Sequence, residues 1–251
     1  MVNQPLITVI TVVYNDVNSI GNTIKSVLQQ SFKMLEYIVI DGSSTDGTID
    51  EINVWSEHLI LISEKDKGIY DAMNKGINAA SGQWIIFMNS GDTFSSNDVL
   101  QNLSSVLHTD SSLDVIYGDT LLVDERQNKK KLQRAYKFNY VKWGMPFCHQ
   151  SVLVKTNLLK LKHFDIQYKV AADYKFFLNL YLEKKYKIKQ VNFPISIFNT
   201  NGVSMSINTF LEMMKIVIIE ISRLGYFVVL FHFSRLIKFY CSRFIKRILF
   251  N

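Results

Sequence analysis

Residues 6–13 (LITVITVV) form an unbroken apolar, β-branched run that stops at Tyr14-Asn15-Asp16, and comparable runs recur at 36–40, 59–63 and 83–88. Apolar residues between the runs fall at helical spacing: Ile20, Ile24, Val27 and Leu28 in the first interval, then the stretches 47–55 and 69–80. A run that is apolar at every position suits a strand buried on both faces. Strand and helix alternating in this way predict an α/β fold, a mostly parallel sheet with flanking helices. Ligands of such sheets bind beyond the carboxyl ends of the strands. The loops beginning at Tyr14, Asp41, Glu64 and Asn89 are therefore where function is to be sought.

The loop after the second run, Asp41-Gly42-Ser43-Ser44-Thr45-Asp46-Gly47, has small residues that let the backbone approach a ligand. Asp41, at the strand end, can accept a hydrogen bond from a base or ribose. The same residue types also make an ordinary turn and helix cap. The loop is neither GxGxxG nor a Walker A sequence, which removes dinucleotide and P-loop chemistry. Cys148 and Cys241 lie far apart and outside any metal-ligand spacing, so neither a zinc site nor a disulfide framework is expected. At 48% hydrophobic and 20% charged, 251 residues can bury a full core without such staples, and a disordered chain is excluded. The start, MVNQPLITVITVVYND, lacks a basic region ahead of its apolar run and reads as a strand, not a signal peptide.

Taken together, ITVITVVYN (7–15), YIVIDGSSTDGT (37–48), EKDKGIYDAMNKGINAASGQWIIFMNSGD (64–92), HQSVLVK (149–155) and AADYKFFL (171–178) resemble the family 2 glycosyltransferases of GT-A fold, in particular bacterial enzymes that build surface polysaccharides such as capsule, O-antigen or exopolysaccharide. The resemblance spans roughly 5–200, with the motifs in the family's order. It implies a catalytic domain over 1–205, divided into a nucleotide-sugar-binding half (1–92) and an acceptor half (93–205). The implied donor-binding residues are Thr11, Val13, Tyr14, Asn15, Asp41, Asp66, Lys67, Asn74, Ser90 and Gly91. Asp92 is the implied ligand of a divalent metal, Mn²⁺ or Mg²⁺, and His149 and Gln150 fall on the acceptor side. Members commonly carry D-x-D where this chain reads Asn89-Ser90-Gly91-Asp92, so one carboxylate is left there. One can serve, because such cations complete their shells with phosphate oxygens and water.

Asp173 occupies the position of the family's general base, which takes the proton of the acceptor hydroxyl while charge grows on the leaving diphosphate. Its other reading is a first-turn aspartate that favours the helix dipole. His149 can equally be structural, and Tyr140, Trp143 and Phe147 either stack on sugar or pack a core. The basic run 126–137 reads as a solvated loop between strands and lacks the aromatic spacing of a nucleic-acid platform, so no nucleic-acid partner is expected.

From Asn208 to Asn251 seven Lys or Arg residues stand against two acids, among aromatic and aliphatic residues at helical spacing. Charges interrupt every window long enough to span a bilayer. Residues 206–251 are thus expected to form a C-terminal basic amphipathic helical appendage that lies on an anionic membrane surface, or else packs on the catalytic domain or a second subunit. The expected activity is inverting transfer from a nucleoside-diphosphate sugar to a glycan or lipid-linked acceptor, in the cytoplasm at the inner face of the plasma membrane. The alternative is a binding module that keeps the fold without turnover.

Overall fold

The computed structural model describes residues 6–124, 129–199 and 207–235. The first half alternates as expected: β1 (Ile7–Val13), α1 (Val17–Leu28), β2 (Leu35–Asp41), α2 (Thr48–Asn53), β3 (Ile60–Ser63), α3 (Ile69–Ala79) and β4 (Trp84–Phe87). These four strands are mutually parallel, ordered β3-β2-β1-β4. β1 is buried at every position because both of its faces are covered. Ile10 and Val12 join Ile38 and Ile40 beneath Met73 and Ile77 of α3. Val9 and Val13 face the other way, with Val39, against Ile20, Ile24 and Val27 of α1. Each such fully buried aliphatic side chain contributes about 1.5–3 kcal/mol. Gly76 is what lets α3 lie so low, since a Cβ there would sit 2.6 Å from Cγ2 of Ile10.

The second half continues the same sheet with β5 (Thr93–Phe94), α4 (Val99–Thr109), β6 (Val115–Asp124), β7 (Lys129–Gln133), β8 (Val152–Lys155), α5 (Thr156–Leu161), α6 (Ala172–Glu183) and β9 (Ile188–Asn199). β8 runs antiparallel between β4 and β6, and β9 lies parallel to β6 on its other side. Part of the basic run read as a solvated loop is instead a strand: β7 pairs antiparallel with the outer part of β6. Backbone pairing along β6 overrides the weak strand preference of Lys129-Lys130-Lys131, and lysines suit an exposed sheet edge. Residues 126–128 of that run lie outside the described residues.

Behind the sheet come α7 (Ile207–Ile219), α8 (Ile221–Leu224) and helical residues 226–235. One face of this appendage packs on the rest of the chain: Met213, Ile216, Val217 and Val228 are buried in the core. His232 donates to the Lys142 carbonyl at 3.0 Å and Arg235 to the Trp143 carbonyl at 2.8 Å. The opposite face leaves Leu211, Ile218, Ile219, Tyr226, Phe227 and Leu230 exposed, Phe227 by 84%. Among the described residues no helix is long and apolar enough to cross a membrane. Lys238, Cys241, Arg243, Lys246 and Arg247 lie outside the described residues.

Candidate active site

The parallel strands end together, and their loops tie themselves into one rim. Gly42 N donates to Val13 O (3.0 Å), Asn15 N to Ser44 Oγ (2.8 Å), Thr45 N to Asn15 Oδ1 (2.9 Å) and Asp16 N to Thr48 Oγ1 (2.9 Å). The two readings of the 41–47 loop therefore coexist. Asp46 holds the start of α2 from just ahead of its N-cap Gly47, accepting from Thr48 N at 3.0 Å, while the remainder frames the rim. Asn15 and Ser43 hold left-handed backbone (φ 49° and 65°), which for Ser43 costs about 1–2 kcal/mol. Gly42 has no room for a side chain: a Cβ would lie 2.6 Å from Oδ2 of Asp66 and 3.2 Å from the Tyr14 ring. Tyr14, Asp41 and Asp66 are thereby gathered around one glycine, with Lys67 following Asp66 at the exposed start of α3.

Asp41 is fully buried, and its carboxylate is fixed through one oxygen only. Oδ2 accepts from Ser44 N (3.0 Å) and Ser63 Oγ (2.7 Å), while Oδ1 has no partner among the described residues. After β4, the Asn89–Asp92 turn hangs on α1: Gly91 N donates to Thr23 Oγ1 (3.0 Å) and Thr23 Oγ1 to Asp92 O (2.8 Å). Ser90 Oγ donates to Asp16 at 2.7 Å. Oδ1 of Asn89 is buried without a partner, as are both ring nitrogens of His149. Of the six buried side-chain polar atoms without a partner among the described residues, four thus belong to Asp41, Asn89 and His149. All three lie at the carboxyl ends of β2 and β4 or just ahead of β8.

Gln150 is joined directly to Asp92, its Nε2 donating to Oδ2 at 2.7 Å, and Cys148 Sγ donates to Gln150 Oε1 at 2.8 Å. Burial pushes the Cys148 thiol up to about 12, aided by the negative charges of Asp92 and Asp173, so it stays protonated. His149 stacks on Phe87 (ring centroids 5.2 Å) and meets Phe164 edge-on (5.6 Å). Burial lowers its pKa, opposed by the charge of Asp173, and the ring is neutral at pH 7. Asp173, in the first turn of α6, accepts the Tyr70 hydroxyl on Oδ1 at 2.8 Å and its neighbour Tyr174 N on the same oxygen. Tyr70 is buried, and burial together with the Asp173 charge holds its phenol well above 10, a permanent donor. No local pattern points to Tyr70 beyond its place in KGIYDAMNKG.

Three expected donor residues are turned inward. Thr11 Oγ1 is spent on Met88 O (2.7 Å) and Tyr37 OH (3.0 Å) inside the sheet, and the Val13 side chain is core. Asn74 bonds Phe164 through both ends of its amide, at 2.8 and 2.9 Å. Their side chains shape the rim from behind and do not line it. Phe147 is likewise core, packed on Tyr117 and Phe177, and Trp143 packs on Phe231 of the appendage; Tyr140 is exposed.

Among the described residues no three His, Cys, Asp or Glu side chains converge as a self-sufficient metal cage. The partnerless Asn89 oxygen beside Asp92 is a small, hard donor set, and it suits a cation that takes its remaining ligands from a phosphorylated substrate and water.

The protein-family model described as Glycosyl transferase family 2 matches residues 8–161. An uncharacterized glycosyltransferase of Mycobacterium tuberculosis is 33% identical over 184 residues, 71% of this chain and 70% of that protein. The S. aureus TarS 1-349 structure in complex with UDP-GlcNAc superposes with a TM-score of 0.69 at 20% identity, covering 86% of this chain and 66% of that one. The mannosyltransferase PcManGT of Pyrobaculum calidifontis, in complex with GDP-Man and Mn²⁺, gives 0.66 at 21% identity, covering 88% and 65%. The chain thus spans a little under two thirds of these structures, and the shared fold is GT-A.

Proposed function

The chain belongs to glycosyl transferase family 2, and on that premise we propose that it is an inverting enzyme that passes a sugar from a nucleoside-diphosphate sugar to a lipid-linked glycan during assembly of a cell-surface polysaccharide. The observation that carries the donor reading is the row of partnerless buried polar atoms on Asp41, Asn89 and His149 along one edge of the sheet. Desolvated groups of this kind cost stability unless a ligand completes them. The nucleoside diphosphates bound by the two superposed proteins fit that pattern of demand.

In this reading the rim from Tyr14 and Asn15 through Asp41 to Asp66 and Lys67 receives the nucleoside, and Oδ1 of Asp41 accepts from it. Asn89 and Asp92 would hold Mn²⁺ or Mg²⁺, beside Ser90 and Gly91. When bound, the cation offsets the charge that grows on the departing diphosphate. Asp173 has Oδ1 taken up by Tyr70 and Tyr174, which leaves Oδ2 to receive the acceptor's proton. As the acceptor oxygen bonds to the anomeric carbon, the bond to phosphate breaks and its electron pair leaves with the diphosphate. Attack from the face opposite the leaving group inverts the anomeric centre. Neutral His149 and Gln150 stand on the acceptor side.

The lipid-linked acceptor is supported by the exposed apolar face of 207–235, with Lys215 and Arg223 exposed on the same helices. Such a surface fits the anionic cytoplasmic leaflet. The decisive experiment is a thermal-shift panel of UDP- and GDP-sugars with and without Mn²⁺, followed by transfer to membrane-extracted acceptors. A ligand at about 100 times its Kd stabilises by about 2.7 kcal/mol. No nucleotide sugar raising Tm would reject the reading.

A further inference from the structure

The N-cap of helix α6 is Ala171, whose side chain offers no hydrogen bond to the free amides of the first turn. Within that turn Asp173 accepts from Tyr174 N. The amides just ahead of the helix are taken up by the appendage. Glu212, in α7, accepts from Lys169 N on Oε1 (2.8 Å) and from Val170 N and Ala171 N on Oε2 (2.9 and 3.0 Å). These three consecutive amides immediately precede Ala172-Asp173. The same short loop is held from the donor side, where Lys169 Nζ donates to Lys67 O (3.1 Å) and Tyr70 to Asp173. The backbone that carries Asp173 is thus clamped between α3 and α7, and the carboxylate that gathers the 169–171 amides belongs to a residue some forty positions downstream.

We propose that Glu212 is a positioning residue for Asp173. By gathering the 169–171 amides on one carboxylate, it fixes the start of α6 and so the placement of the Asp173 carboxylate against Tyr70 and the reacting centre. The C-terminal helices are then part of the catalytic apparatus as well as its proposed anchor. This rests on the reading of Asp173 as the general base, and the experiment separates the two.

Turnover is followed as release of nucleoside diphosphate from whichever UDP- or GDP-sugar the wild type consumes fastest, in Glu212→Ala, Glu212→Gln, Asp173→Asn and the double variant Glu212→Ala/Asp173→Asn. Glu212→Ala is expected to lower kcat about 10- to 100-fold, the range that follows from small misplacement of a reacting group, with the donor KM unchanged. Glu212→Gln keeps the size and one acceptor oxygen and should fall between. If Glu212→Ala fails to fold, Glu212→Gln carries the comparison alone, in the single and double variants. Because Glu212 acts through Asp173, its replacement should cost nothing further once Asp173 is Asn. Wild-type kcat in both Glu212 variants, or a full additional loss in the Asp173→Asn background, overturns the inference while leaving the base intact. Near-normal turnover in Asp173→Asn removes the base assignment and the inference with it.

Discussion

The Tyr70 hydroxyl donates a 2.8 Å hydrogen bond to Oδ1 of Asp173, joining the first turn of α3 to the first turn of α6 across 103 residues of sequence. Tyr70→Phe deletes this bond and little else, since the ring still packs on Phe164. The expected outcome is a folded protein with donor affinity unchanged and kcat lowered about tenfold, as a free-to-rotate carboxylate is a poorer base. Equal kcat would show that the bond is only structural.

Asp173→Asn keeps the shape and removes the basic oxygen. Loss of a general base lowers turnover about 10²- to 10⁴-fold, while calorimetric donor binding should stay as in the wild type. NMR of the wild-type product should give the opposite anomeric configuration to the donor. Retained configuration would eliminate single displacement.

Asp92→Ala should abolish the part of donor binding that depends on Mn²⁺ and leave a folded chain. Gln150 then loses its acceptor, so the free energy of unfolding should fall by the value of one buried charge-assisted hydrogen bond, about 1.5–3 kcal/mol, and Tm with it. Undiminished Mn²⁺ dependence in calorimetry would move the metal elsewhere.

His149 and His232 both have pKa values lowered from 6.5, in each case chiefly by burial. The unfolded chain therefore binds protons at a pH where the fold does not. Stability is complete above about pH 6.5 and is lost as pH falls from there toward the folded pKa values. His149→Phe keeps the stacking on Phe87 and Phe164 and removes one titrating ring, so Tm between pH 5 and 6.5 should fall less steeply. At pH 7.5 the variant should be more stable by about 1 kcal/mol, because two buried nitrogens no longer go unpaired, yet less active. A lower Tm at pH 7.5 would show that the nitrogens already have partners.

Replacing Tyr226, Phe227 and Leu230 together by Ser should weaken binding to vesicles containing phosphatidylserine, and wild-type binding should fall as salt is raised. These side chains are exposed by 77, 84 and 62%, so the fold is untouched, whereas truncating the appendage would remove Ile216 and Val217 from the core. Equal binding by the triple variant would clear the exposed face of this role.

The strands β1, β2 and β4 were legible because burial on both faces demands apolar residues at every position, a pattern few other structures impose. β7 was not, since Lys129-Lys130-Lys131 pairs through its backbone alone. At the site, its place at a strand end singles out Asp41, whereas Asp92 is reached only through the resemblance. Thr11 and Asn74 sit in the same motifs, but their polar atoms turn inward, and one-dimensional spacing does not say which way a side chain faces. Tyr70 and Glu212 take their meaning from partners 103 and 41–43 residues away. No local signal marks such pairs.

β8 runs against its neighbours, so it begins at the edge where β4 ends. His149 and Gln150, the last residues before it, consequently reach the pocket on a chain that is about to leave it through the middle of the sheet. The stretch from 134 to 148 that delivers them is tethered at its far end by the strand and adds no strand to the parallel half. Under the proposed function, exchanging that stretch is expected to alter the acceptor side while the loops of the parallel half stay in place.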